Sequence, residues 1–138
     1  MARRNNNIDL GLLILRLVSG LLMLPHGINK IINGHDKIRG MLSEKGLPEL
    51  LWVGVPVAEV LGPLFIILGI FSRISGLLLV AVMIFSIALT SGLGAFAFGP
   101  TGGLKGELNL LFMIIGLVLF ITGPGKYVLL TSSREILQ

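Results

Sequence analysis

Cysteine is absent from the 138 residues. Disulfides, thiolate nucleophiles, Cys-ligated zinc or iron–sulfur clusters and thiol redox chemistry by the chain itself are thereby excluded. Histidine occurs only at His26 and His35. The spacing of the possible ligands matches no metal motif, so no metal site is expected. Charge is scarce as well. Charged residues make up 13% of the chain, against about 25% in an ordinary soluble domain. No stretch is long and polar enough to build a separate extramembrane domain. The net charge of +4 is modest and points to anionic lipid headgroups rather than nucleic acid.

What the chain does have is apolar surface. It is 54% hydrophobic, with a mean hydropathy of +0.94. A soluble fold of this size could not hide that much, and a disordered chain would not carry it. The reading is a single membrane domain over residues 1–138. Four apolar stretches are expected to span, at about 8–32, 50–71, 74–93 and 105–122, the last short for a span of about 20 residues. None alternates with period two, so a barrel is excluded and helices are predicted. Arg3 and Arg4 before the first run resemble a signal peptide, but Arg16 breaks that run and no small-residue cleavage site follows. The first stretch is read as an uncleaved span.

The connections add detail. Residues 33–49 place Ile38, Met41 and Leu42 among charged neighbours, the pattern of a short amphipathic helix on the membrane surface. Ser72-Arg73 leaves room only for a tight antiparallel hairpin. Residues 92–106 are rich in glycine, carry Phe96 and Phe98, and could dip back into the interface. The predicted fold is an all-α integral membrane protein. It is a bundle of four transmembrane helices with a short interfacial helix between spans one and two. Arg3, Arg4, Arg73, Lys126 and Arg134 on one side balance Lys30, Lys37, Arg39, Lys45 and Lys105 on the other. The positive-inside rule ties, and the charges before the first span favour cytoplasmic termini in the inner membrane.

Ionisable groups inside the apolar runs carry the functional signal. Arg16 lies about 10 Å into the first span, counted from Asp9. Glu59 lies inside the second. An isolated charge at the bilayer centre costs roughly 2.5–3.5 kcal/mol, so such residues find partners within the bundle. Antiparallel spans would set Arg16 and Glu59 within about one arginine side-chain reach in depth. The simpler reading is a structural ion pair, or an Arg16 that snorkels to the interface. Pro56 and Pro63 bracket Glu59 and free the carbonyls of Trp52 and Glu59, which could open a polar pocket. His26 and Lys30, one turn apart, share a helix face. With Trp52 and Glu107 they gather with Glu59 toward one half of the bundle.

The order of features resembles DoxX-like membrane proteins. Arg16, Pro25-His26-Gly27 and Lys30 resemble their first span. Ala58-Glu59, Gly62 and Leu68-Gly69-Ile70-Phe71-Ser72-Arg73 resemble the second span and its turn. Gly102-Gly103 to Glu107 and Thr122-Gly123-Pro124-Gly125-Lys126-Tyr127 resemble the fourth span and its ending. The resemblance implies a four-helix membrane protein with motif residues at Arg16, His26, Lys30, Glu59, Arg73 and Glu107. It also implies association with thiosulfate:quinone oxidoreductase or with oxidoreductase complexes of oxidative and thiol stress. No redox centre is intrinsic to the chain, so electrons would travel through a bound quinone or a soluble or membrane partner.

The leading expectation is a quinone-linked membrane subunit. Glu59 and His26 would exchange protons, and Arg16, Lys30, Trp52, Glu107 and Arg73 would bind. The alternatives are a non-enzymatic membrane partner or assembly factor, and a small-solute or proton pathway. Bundles this small and apolar often form homo-oligomers.

Overall fold

The structure, a computed structural model, describes residues 6–129. Arg3, Arg4 and Arg134, which enter the charge comparison of the two sides, lie outside the described residues. Helix α1 covers Asn6–Asn33, α2 His35–Glu44, α3 Leu51–Leu68, α4 Ser72–Thr90 and α5 Glu107–Thr122. A short 3-10 turn, Gly92–Phe96, follows α4. In hydrocarbon a backbone group without a partner is costly, so long apolar runs close their hydrogen bonds within the segment as helices. Helices α1, α3 and α4 have the length and hydropathy to cross a bilayer, whereas α5 is a shorter apolar helix of 16 residues. Pro25 lies inside α1, and Pro56 and Pro63 inside α3, and both helices run on through them.

The turn between α3 and α4 follows from one residue. Gly69 adopts φ 74°, a left-handed conformation that ends α3. The Gly69 N–H donates to the Ile66 carbonyl and the Ile70 N–H to that of Phe65. This is the Schellman pattern that satisfies the last carbonyls of a helix. Helix α4 then starts at Ser72, so α3 and α4 form the expected antiparallel hairpin.

Two helix pairs build the bundle, α1 with α3 and α4 with α5, both antiparallel. Their backbones approach closely where a side chain is missing. A Cβ on Gly27 would lie 2.7 Å from the Glu59 carbonyl oxygen. Cβ atoms on Gly76 and Gly116 would each lie 2.6 Å from the other residue's carbonyl oxygen. Close backbone packing at small residues is how helices associate where lipid removes the hydrophobic drive. Met23, Ile66, Leu79, Val82, Met83, Phe112 and Leu119 fill the centre between the pairs. Outside it, Leu21, Leu22, Ile114 and Ile121 are exposed, as lipid-facing residues are.

Helix α2 sits where the amphipathic pattern places a helix. Its apolar side, Ile38 and Leu42, is buried against Leu89, with Phe85 and Trp52 packed alongside. Protein, rather than the bilayer, covers that face, and α2 closes the end of the α3–α4 pair. Overpacking a tight contact costs about 1–3 kcal/mol. Gly76→Leu should therefore lower the thermal midpoint in detergent, read by circular dichroism. Gly11→Leu, at a position with no atom within 4 Å of the new Cβ, should leave it unchanged.

Candidate functional site

The ionisable residues of the spans separate into two groups at opposite ends of the bundle. The first centres on Arg16, which is 1% exposed. Its Nε donates to the Ile66 carbonyl at 2.8 Å, and its Nη2 to Ile67 at 2.9 Å. Its Nη1 donates to Pro124 at 2.8 Å and to Tyr127 at 2.7 Å. Ile66 and Ile67 sit in the last turn of α3, where carbonyls lose their regular intrahelical partners, and the Ile66 carbonyl also accepts the Gly69 N–H. Pro124 and Tyr127 belong to the segment after α5. One guanidinium thus ties α1, the end of α3 and the end of the described chain together. Gly69 makes room for it, because a Cβ there would meet Arg16 Nη2 at 2.5 Å.

Asp9, two turns before Arg16 on the same helix face, works on the same segment. It is fully buried, and its Oδ1 accepts the backbone N–H of Lys126 at 3.1 Å. The Lys126 ammonium reaches on to Asn6 Oδ1 at 2.8 Å. Arg73 has a related task at the end of α5, where its Nη1 donates to the carbonyls of Phe120 and Ile121 at 2.9 and 3.1 Å. A cation at a helix C-terminus also meets the negative end of the helix dipole.

The expected proximity of Arg16 and Glu59 does not hold. Gly27, not Arg16, packs against the Glu59 backbone. Eleven residues, about 17 Å of helical rise, separate the two levels on α1. The physical reason is register. Helix α1 is 28 residues long and α3 is 18, and the two are flush at the α2 end. The N-terminal part of α1 therefore projects past α3, and Arg16 meets the last turn of α3 instead of its middle.

Glu59 finds its cation one helix over. Lys30 Nζ lies 2.5 Å from Glu59 Oε1. The Glu59 side chain is 1% exposed and that of Lys30 is 30% exposed. The second carboxylate oxygen, Oε2, is buried and has no hydrogen-bond partner among the described residues. Buried polar atoms almost always have one, so an unpartnered one needs an explanation. A carboxylate is acceptor-only when ionised and gains a donor when protonated, so Oε2 could meet a donor or an acceptor from a ligand.

The other expected site residues surround this pair less closely. His26, one turn before Lys30 on α1, is exposed, with Nδ1 3.0 Å from the Leu22 carbonyl. A proton on Nδ1 leaves Nε2 as the outward acceptor. Trp52 stacks on His35 with ring centroids 5.1 Å apart and planes at 11°, and so belongs to the contact between α2 and α3. Glu107 opens α5, is exposed, and lays its carboxylate over Gly103. The structure thus joins Lys30 and Glu59, sets His26 beside them on one helix face, and sends Arg16 and Arg73 to the opposite end. Among the described residues no group of three or more His, Asp or Glu could hold a metal ion.

An apolar groove of about 320 Å³ lies between α3 and α4, with Gly54, Ala58 and Ala81 among its lining and Leu51, Leu78 and Phe85 beside them. Glu59, next in sequence to Ala58, is not part of that lining. Its carboxylate is committed to α1, on another side of α3.

Two outcomes follow from these contacts. Arg16→Gln strips the guanidinium donors from the carbonyls of Ile67, Pro124 and Tyr127 and leaves Ile66 with the Gly69 N–H, at about 1–3 kcal/mol for each buried carbonyl left unsatisfied. The segment after α5 should then detach, and trypsin cleavage after Lys126 should accelerate in Arg16→Gln and in Asp9→Ala. Lys30→Met leaves a buried carboxylate without its counter-charge, which costs about 3–5 kcal/mol. Adding Glu59→Leu should recover most of that loss, as a double-mutant cycle of unfolding in detergent would show.

A model of the DoxX family matches residues 11–92, a stretch that contains Arg16, His26, Lys30, Trp52, Glu59 and Arg73. The chain is 26% identical over 119 residues to the Bacillus subtilis (strain 168) protein named "Putative oxidoreductase CatD". The alignment covers 86% of this chain and 84% of that relative. No solved structure matches the chain. With more than half of its length matched by the family model, the chain belongs to the DoxX family of membrane proteins.

Proposed function

We propose that the protein is a four-span subunit of a quinone-linked oxidoreductase system in the inner membrane, with both termini cytoplasmic and Lys30–Glu59 as its quinone-facing pair. The observation that carries the reading is the buried, unpartnered Oε2 of Glu59 beside a partly exposed ammonium. The name of the Bacillus subtilis relative supports the oxidoreductase part. A bound quinone would supply the two-electron chemistry that a chain without cysteine does not supply itself.

The residues have distinct tasks in this reading. Glu59 holds or releases a proton at Oε2, where a hydroxyl or carbonyl oxygen of the ring would complete its hydrogen bonding. Lys30 holds the carboxylate through Oε1 in the resting pair. Its long flexible stem makes it the movable half, so its swing toward the headgroups uncovers Glu59. His26, exposed one turn away, relays protons toward the aqueous side through Nε2. Arg16 and Arg73 take no part, since their N–H groups already serve backbone carbonyls. The electron donor is a partner protein, soluble or in the membrane.

A second reading draws on that last observation. If the ionisable residues only hold the bundle together, the protein is a non-enzymatic membrane partner or assembly factor. Purification in mild detergent, followed by mass spectrometry of co-purifying lipids, separates the two. The quinone reading expects a stoichiometric quinone in the wild type that is lost in Glu59→Gln while the thermal midpoint is kept. No quinone in either protein, or equal quinone in both, overturns it.

A further inference from the structure

Sixteen residues separate α4 from α5, and they do not form an ordinary polar loop. Among residues 91–106 the polar side chains are Ser91, Thr101 and Lys105. Leu93 is 88% exposed and Phe98 76% exposed, and Phe96 is exposed beside them. In water three such side chains on one short segment would be a liability. In a bilayer they are an anchor.

The segment is built to tolerate that setting. After the 3-10 turn it folds into a small hairpin with a bridge between Phe98 and Leu104. The Gly99 N–H donates to the Gly103 carbonyl, Lys105 to Ala97, and Gly106 to Ala95. Gly94, Ala97 and Gly102 also donate to carbonyls within the stretch 91–99. Irregular backbone at membrane depth needs its polar groups met, and these bonds meet much of that need within the hairpin. Ala95, fully buried at the hairpin base, fixes it to the start of α5: a Cβ on Gly106 would lie 2.7 Å from the Ala95 Cβ.

Register makes the depth necessary. Gly76 faces Gly116, and Asn109 reaches Met83, so Glu107 stands level with about residue 85 of α4. Helix α4 therefore runs on for about one and a half turns past the start of α5. Sixteen residues of helix measure about 24 Å, short of the roughly 30 Å hydrocarbon core. The hairpin occupies the level that the missing turns of α5 would fill. Beside it an open apolar groove of about 450 Å³ runs between α4 and α5, with Ile84, Ile87, Leu110 and Met113 facing Leu93 and Phe96.

We infer that the segment from Leu93 to Phe98 is a re-entrant membrane anchor. Leu93, Phe96 and Phe98 insert among the acyl chains just below the headgroups, acyl chains fill the adjoining groove, and Lys105 snorkels to phosphate level. The inference rests on α5 as a span and not on quinone binding.

The absence of cysteine makes the test clean. Single variants Leu93→Cys, Phe98→Cys, Ile114→Cys and Lys45→Cys are spin-labelled in the full chain and reconstituted into phosphatidylcholine–phosphatidylglycerol vesicles. Collision rates with oxygen and with a nickel chelate are then compared. Ile114, exposed on α5, reports the span, and Lys45 reports water. The expected result is an oxygen-to-nickel ratio at Leu93 and Phe98 close to that of Ile114 and well above that of Lys45. Water-like ratios at Leu93 and Phe98 with a lipid-like Ile114 overturn the anchor while leaving the span intact. Water-like ratios at all three overturn the span and the anchor together. Low access to both reagents with spin–spin coupling between copies replaces the lipid contact by an interface between two copies of the chain.

Discussion

One guanidinium among four backbone carbonyls holds the bundle closed. Helices α1 and α5 touch little directly. What joins them is the segment after α5, folded back onto the projecting end of α1 through Arg16 and Asp9. Carbonyls at a helix end and in an irregular segment lack the regular i+4 partner, and hydrocarbon offers no substitute. An arginine carries five N–H donors in a fixed fork and is the side chain that can serve several carbonyls at once. Glycine at 69 then serves two demands, the left-handed turn that ends α3 and the space for the fork beside it.

That arrangement divides the charges of the spans by task. Arg16 and Arg73 spend their N–H groups on backbone carbonyls, and Asp9 accepts from the backbone of Lys126. Their number and placement follow from helix ends. Lys30 and Glu59 differ in kind, because they pair side chain with side chain, in the half of the bundle near α2. Their pairing still leaves one buried carboxylate oxygen unserved by the described residues. A structural ion pair in a low-dielectric interior is stable only when its remaining lone pairs are met. The unmet oxygen is therefore the feature that structure alone does not explain, and it is where a ligand would improve the energetics.

The helices were legible from hydropathy because the bilayer permits little else, and the α3–α4 hairpin was legible from its short connection, although the turn falls at residues 69–71 and the expected connection Ser72-Arg73 opens α4. The pairing of charges was not. Depth counted along each span assumes that the spans are flush, whereas α1 exceeds α3 by ten residues, all of it at one end. The two lengths could be estimated from the sequence, but which end protrudes could not. Asp9 carried a usable signal, seven residues before Arg16 and so on its helix face, yet its partner is a backbone N–H in Lys126, which no side-chain pattern announces. The amphipathic stripe of α2 was likewise visible, but periodicity says only that one face is apolar. Whether lipid or Phe85 and Leu89 cover it depends on tertiary placement.

The distribution of burial carries the same point to the whole molecule. Among the most deeply buried side chains are Arg16, Glu59, Asp9, Ser72 and Ser75, while leucines and isoleucines crowd the outside. In a soluble domain that would be inverted and unstable. Here the solvent is hydrocarbon, so apolar side chains gain little by turning inward and polar ones gain much. Polar groups therefore mark the interior of the bundle, and glycines mark where its helices meet. The sequence is best read for what it must hide from lipid, and by that measure Asp9, Arg16 and Glu59, the buried charges among the described residues, mark the interior.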